Sequence, residues 1–166
     1  MERRFIKKDN FNEEVIDLSR VTRVVAGGKR FRFRATVVVG DGKGKVGVGV
    51  AKGLDFEQSV NKAKADAKKN IVDVKMKGVT IPHEVEAKFG AARVIIKPAV
   101  VGHGIVAGGS PRVVLKLAGI EDVTAKCLGG TKNKLTYAIA TIEALKKIKN
   151  QKTKVKHAAT STTAAI

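Results

Sequence analysis

Cysteine occurs once in these 166 residues, tryptophan not at all, and aromatic side chains make up only 4% of the chain. A single thiol, Cys127, cannot close an internal disulfide, and its apolar, small neighbours (Val123, Ala125, Leu128) mark it as a small buried hydrophobe rather than a nucleophile. Scarce aromatics argue against stacking on unpaired bases as the main contact mode, which leaves phosphate and shape recognition of folded RNA open. Acidic residues are also short, 15 against 33 Lys and Arg, and the formal net charge is +18. Such a chain repels itself at neutral pH until an anion neutralises it, so a constitutive anionic partner is expected. No run approaches the ~18 apolar residues of a membrane-spanning helix, and Met1 to Lys8 lacks the apolar core of a signal peptide, so the expected location is the cytoplasm. His83, His103 and His157 lie far apart, no Gly-x-Ser-x-Gly elbow is present, and the carboxylates are scattered. No metal, cofactor or active site is therefore expected.

What the chain does have is a basic β-meander. Between Arg20 and Lys52 stand nine cations (Arg20, Arg23, Lys29, Arg30, Arg32, Arg34, Lys43, Lys45, Lys52) against one acid, Asp41. Phe31, Phe33, Ala35, Val37 and Val39 alternate with Arg30, Arg32, Arg34 and Thr36, which predicts a strand with one core face and one cationic face. Guanidinium forks on a rigid sheet match phosphate oxygens.

Periodicity divides the chain. Residues 1–12 read as a flexible arm. A first strand through Val15–Val25 ends at Ala26-Gly27-Gly28, a second runs Lys29–Val39, and an Asp-Gly turn at 40–44 leads into a third through Val46, Val48 and Val50. Phe56, Val60, Ala63, Ala67, Ile71 and Val74 then fall three or four apart, one stripe of a helix, with Asp55 and Gln58 as a box-like cap. The first domain is thus β-β-β-α over 13–74, followed by a polar link at 75–82. A second, α+β domain over 83–149 reads β-β-α-β-α: a hairpin at 84–98, a helix from Pro111 to Ala118 capped by Ser110 and closed by Gly119, a strand at 123–128, and a last helix over about 132–149. Residues 150–166 lack periodicity and read as disordered.

Two glycine-rich stretches invite a nucleotide reading. Gly42-Lys-Gly-Lys-Val-Gly47 matches Gly-x-Gly-x-x-Gly, but the third glycine continues a strand instead of opening a helix, and no kinase triplets follow. The alternating Gly47 and Gly49 instead allow another backbone, protein or nucleic acid, to come close. Gly102 to Pro111 resembles a phosphate cradle leading into a helix, yet lacks the Gly-Lys-Ser/Thr ending; Arg112 beyond it serves either a structural turn or a contact surface.

Taken together, Arg20-Val-x-Arg-Val-Val-x-Gly-Gly-Lys-Arg-Phe-Arg-Phe, Val-Val-Val-Gly-Asp-Gly-x-Gly-x-Val-Gly-x-Gly, the stretch Pro98 to Gly109 with Gly-x-Gly-Ile-Val-Ala-Gly-Gly, and Ala-Gly-Ile120 resemble the bacterial small-subunit ribosomal protein of the S-five family, colinearly over about residues 12–149. The resemblance implies an N-terminal double-stranded-RNA-binding-like domain and a C-terminal domain of the family's own α+β type. It implies binding to small-subunit ribosomal RNA, contacts with ribosomal proteins four and eight, support of decoding accuracy, and contact with mRNA at the mouth of its channel, where Arg20 is a candidate. Arg20, Thr22, Arg23, Ala26, Gly27, Gly28 and Lys29 match the RNA-reaching loop, and Gly104, Gly108 and Arg112 match the surface that meets ribosomal protein four. Residues 1–14 show no opening helix of the RNA-binding fold, and residues 152–166 lack the family's usual tail. The rival readings are a free-standing RNA or DNA chaperone, which would bind ribosomal RNA and random DNA alike, and a small phosphotransferase using the two glycine loops.

Overall fold

The computed structural model describes residues 11–148, which form two four-stranded sheets and three helices. The arm and tail expected at the two ends lie outside the described residues, apart from Phe11 and Asn12. In the first sheet, β1 (Asn12–Val25), β2 (Gly28–Gly40), β3 (Lys45–Gly53) and β4 (Ile71–Asp73) stand in chain order, each antiparallel to the next. The register of β1 on β2 shifts between Val15 and Asp17, and the extra residue, Ile16, packs on the core shared with the second half of the chain.

Helix α1 (Phe56–Lys69) lies across β2 and β3 and seals a small core of Ala35, Val37, Val39, Val60, Ala63 and Ala67. It stops earlier than its stripe suggests. Asn70 is the C-cap, and Ile71 to Asp73 leave the helix to pair with β3. The expected cap at Asp55 is also only half formed: Asp55 makes no side-chain cap bond, while Gln58 Oε1 accepts from the Leu54 amide at 3.0 Å.

The second sheet has the order β5 (Val85–Phe89), β6 (Ala92–Pro98), β8 (Val123–Cys127), β7 (Ile105–Val106), with β7 parallel to β8. Two helices complete this half, α2 (Gly109–Ala118) and α3 (Lys134–Lys146). The two-residue β7 was not expected, and α2 starts earlier than its Ser-Pro pair implied. Gly108 is the N-cap, and Ser110 lies buried inside the first turn. Asn133 caps α3 by accepting from the Leu135 amide at 3.1 Å.

One expectation fails in an informative way. The face of β2 opposite α1 is not cationic throughout: Thr36 (1% exposed) and Val38 (0%) are buried. Val38, Val46 and Val48 join the same apolar core as Leu115, Ala118 and Leu145 of α2 and α3. The run Val37-Val38-Val39 is therefore covered on both sides, by α1 and by the second half of the chain. Residues 75–82 take part as well, with a Lys77–Thr80 bridge and a buried Ile81.

Backbone contacts fix the two halves at the β2–β3 turn. Gly42 N donates to the Leu117 carbonyl (3.1 Å) and Gly44 N to the Ala118 carbonyl (2.9 Å), so the turn satisfies the open C-terminal end of α2. Side chains are excluded there: a Cβ on Gly40 would stand 2.2 Å from Leu117 O.

Candidate nucleic-acid interface

Beyond Arg34 the cover of β1 and β2 runs out. From Gly28 to Arg32 every β2 residue is exposed, and the β1–β2 hairpin stands clear of both cores. Registration sorts its side chains, because antiparallel partners share a face. Arg20 pairs with Phe33 and Thr22 with Phe31, which puts these four on the α1 side. Val21 pairs with Arg32, Arg23 with Arg30 and Ser19 with Arg34, on the opposite side, where Lys52 of β3 stands opposite Arg34. Arg20 and Arg23, three apart on a strand, thus point to opposite faces.

On the α1 side the Arg20 guanidinium lies over the Phe31 ring, 3.6 Å from its centroid. The contact holds an exposed arginine in place while its outward edge stays open. The other side carries a depression lined by Val21, Arg23, Arg30, Arg32 and Lys52. None of the nine cations of the meander joins an ion pair among the described residues. A dense, unpaired cationic face on a rigid ribbon is suited to phosphate.

The nine do not all converge. Lys43 and Lys45 belong to the far end of β2–β3, about 20 Å along the strands from Arg34; the amides of both donate to Asp41 Oδ1, at 2.7 and 2.9 Å, which fixes the turn. Ala26, Gly27 and Gly28 form the hairpin tip, with Gly28 at φ +132° and open space beside Gly27. Lys29 is exposed next to them.

The glycine stretches acquire structural roles. A Cβ on Gly47 would lie 2.4 Å from Ala67 O, and one on Gly49 2.2 Å from Ala63 O. The backbone that comes close is α1, not a nucleic acid. At Gly102 and Gly104 the cradle is already filled from within: both amides donate to the buried Asp122 carboxylate, at 3.1 and 2.7 Å. Nothing local in the sequence marks Asp122, which lies 18 residues beyond Gly104. The loop leads from Gly104 through β7 to Gly108, the N-cap of α2, and exposed Arg112 stands on that helix's first turn, so Gly108 and Arg112 share one end of the helix while Gly104 is tied to Asp122 and Val123. Cys127 is half-buried, and burial raises its thiol above the usual range.

Among the described residues no three His, Cys, Asp or Glu side chains cluster as metal ligands, and no helix is long and apolar enough to cross a membrane. Fold and surface together define a basic, two-part α+β protein with an exposed, cation-bearing hairpin. Residues 11–75 match the family model of ribosomal protein S5, N-terminal domain, and residues 87–159 that of ribosomal protein S5, C-terminal domain. Proteins described as small ribosomal subunit protein uS5 from three Campylobacter jejuni strains (serotype O:23/36, serotype O:6 and RM1221) are each 49% identical over 142 residues, covering 86% of this chain and 96% of the relative. The chain belongs to the ribosomal protein S5 family, a family of structural proteins and not of enzymes.

Proposed function

We propose that this chain is a structural constituent of the small ribosomal subunit, working in the cytoplasm, that binds ribosomal RNA through its β1–β2 hairpin. The observation that carries the reading is the projecting hairpin, whose arginines find no acid partner among the described residues. Arg20, Thr22, Arg23, the Ala26-Gly27-Gly28 tip, Lys29, Arg30, Arg32, Arg34 and Lys52 are its RNA-facing residues, neutralising phosphate while the glycines admit a close backbone. Lys43 and Lys45 make a separate, smaller basic site. Gly104, Gly108 and Arg112 form a protein-facing surface running from the loop before α2 to that helix's first turn, for which ribosomal protein four is the partner we assign. Ribosomal protein eight is a second neighbour. Arg20, on the face away from the main arginine cluster, is free to meet mRNA at the mouth of its channel, and support of decoding accuracy follows from these contacts.

Sedimentation of lysate through a high-salt sucrose gradient tests this. The protein should remain in the small-subunit peak at about one copy per subunit. Release to the top, with intact subunits left behind, would make it a loosely bound RNA-binding factor instead.

A further inference from the structure

In a chain that is 29% charged, the fourteen residues from Pro98 to Pro111 contain no Lys, Arg, Asp or Glu, the longest uncharged run in the sequence. This run carries the two most exposed large apolar side chains among the described residues, Val100 (78%) and Val101 (85%). They stand at a turn in which His103 N donates to the Val100 carbonyl at 3.1 Å, with Gly102 at φ +87° and Gly104 at φ +75°. The turn is firmly held. Asp122, 4% exposed, accepts from Gly104 N through Oδ1 (2.7 Å) and from Gly102 N through Oδ2 (3.1 Å), one carboxylate oxygen for each glycine amide. Asp122 is itself fastened to the segment before β5: its amide donates to the Val79 carbonyl (3.2 Å) and its carbonyl accepts from Thr80 Oγ1 (2.6 Å). Val123 N adds a bond to the Gly104 carbonyl at 3.2 Å.

These bonds decide what can meet the loop. The glycine amides that a phosphate would need are occupied, and the carboxylate behind them repels a second anion, so a nucleic-acid backbone finds no seat here. An uncharged tip with two bare valines is suited instead to burial in a protein. The loop also continues through β7 into Gly108 and Arg112, the protein-facing surface assigned above. Resting on that assignment, we propose that Val100 and Val101 form an apolar tip that docks into an apolar pocket of the protein partner, and that Asp122 is the residue that positions it. A loop already fixed in its bound shape loses little conformational entropy on docking, which is what the buried carboxylate supplies. Asn at position 122 would keep the size, but its amide nitrogen cannot accept, so one glycine amide would lose its partner.

The test measures binding of the full chain to purified ribosomal protein four by fluorescence anisotropy at low and high salt, with binding to small-subunit ribosomal RNA alongside. V100S/V101S, at two exposed positions, should keep the wild-type thermal midpoint and RNA affinity. It should weaken binding to protein four about tenfold, by the same factor at both salts, because the lost contact is apolar. R112Q should weaken it more at low salt than at high. D122N should weaken it severalfold and accelerate amide exchange at Gly102 and Gly104 while leaving α3 unchanged. Should D122N fail to fold, Thr80→Val, which removes the bond to the Asp122 carbonyl, takes its place with the same expected direction. If R112Q weakens binding and V100S/V101S does not, the protein-facing reading stands and the apolar tip is overturned. Loss of RNA affinity in V100S/V101S would mean that the tip meets nucleic acid, and the proposal falls. If D122N frees the two amides without weakening binding, the positioning role is overturned. If the wild-type chain does not bind protein four, the protein-facing reading falls and the tip with it.

Discussion

Gly42 and Gly119 meet backbone to backbone: a Cβ on Gly119 would stand 2.1 Å from the Gly42 carbonyl oxygen, and Gly119 holds φ +83° as the C-cap of α2. Glycine is required there twice over, for the left-handed cap and for the closeness of the β2–β3 turn. Gly119→Ala should therefore cost about 2–4 kcal/mol, combining backbone strain with overpacking. Urea unfolding beside Gly27→Ala checks this, since Gly27 has open space around it and should stay within about 0.5 kcal/mol of wild type.

Gly49 tests the seating of α1. Its replacement by Ala puts a methyl 2.2 Å from Ala63 O and 2.3 Å from Ala67 N. The helix must lift off the sheet, at roughly 1–3 kcal/mol. Amide exchange in α1 should accelerate more than in α3, which lies beyond the other face of the sheet.

The Arg20–Phe31 contact predicts a coupling. A double-mutant cycle with Arg20→Gln and Phe31→Leu should give an interaction of about 0.5–1 kcal/mol in the free protein. Additive singles would mean that the ring does not position the guanidinium.

Cys127 should alkylate slowly. Burial raises its pKa, so the folded chain holds the thiol proton to higher pH than the unfolded chain does. The rate of reaction with iodoacetamide should rise with pH later in the folded protein than in urea. By the same linkage, the native state binds the proton more tightly, and the stability this gives is present below the unfolded thiol pKa and lost as pH rises through the folded one.

Much of this architecture is legible in short stretches of the chain. Alternation at Phe31–Val39, glycine punctuation at 27–28 and 40–44, and the three-to-four spacing after Phe56 each report a local preference, and local preferences define most of the strands and helices here. Period two likewise separates Arg20 from Arg23. Other features escaped for physical reasons. Ile71 and Val74 continue the helical spacing of α1, yet pairing with β3 overrides it. Val38 sits amid arginines and threonine on an alternating face, but burial by a partner 75 or more residues away cannot be read from that pattern. The internal anion at Gly102 and Gly104 likewise depends on a residue distant in the chain.

The β2–β3 turn, held to α2 by backbone bonds, also acts as the fulcrum of a long arm. β2 runs 13 residues from that turn to the hairpin tip, about 40 Å of nearly inextensible ribbon, so a tilt of roughly 3° at the fulcrum sweeps the tip through about 2 Å. Small displacements imposed on α2 by a neighbour are thereby magnified where the arginines stand, and the placement of the basic tip becomes a mechanical property of a joint at the other end of the strand.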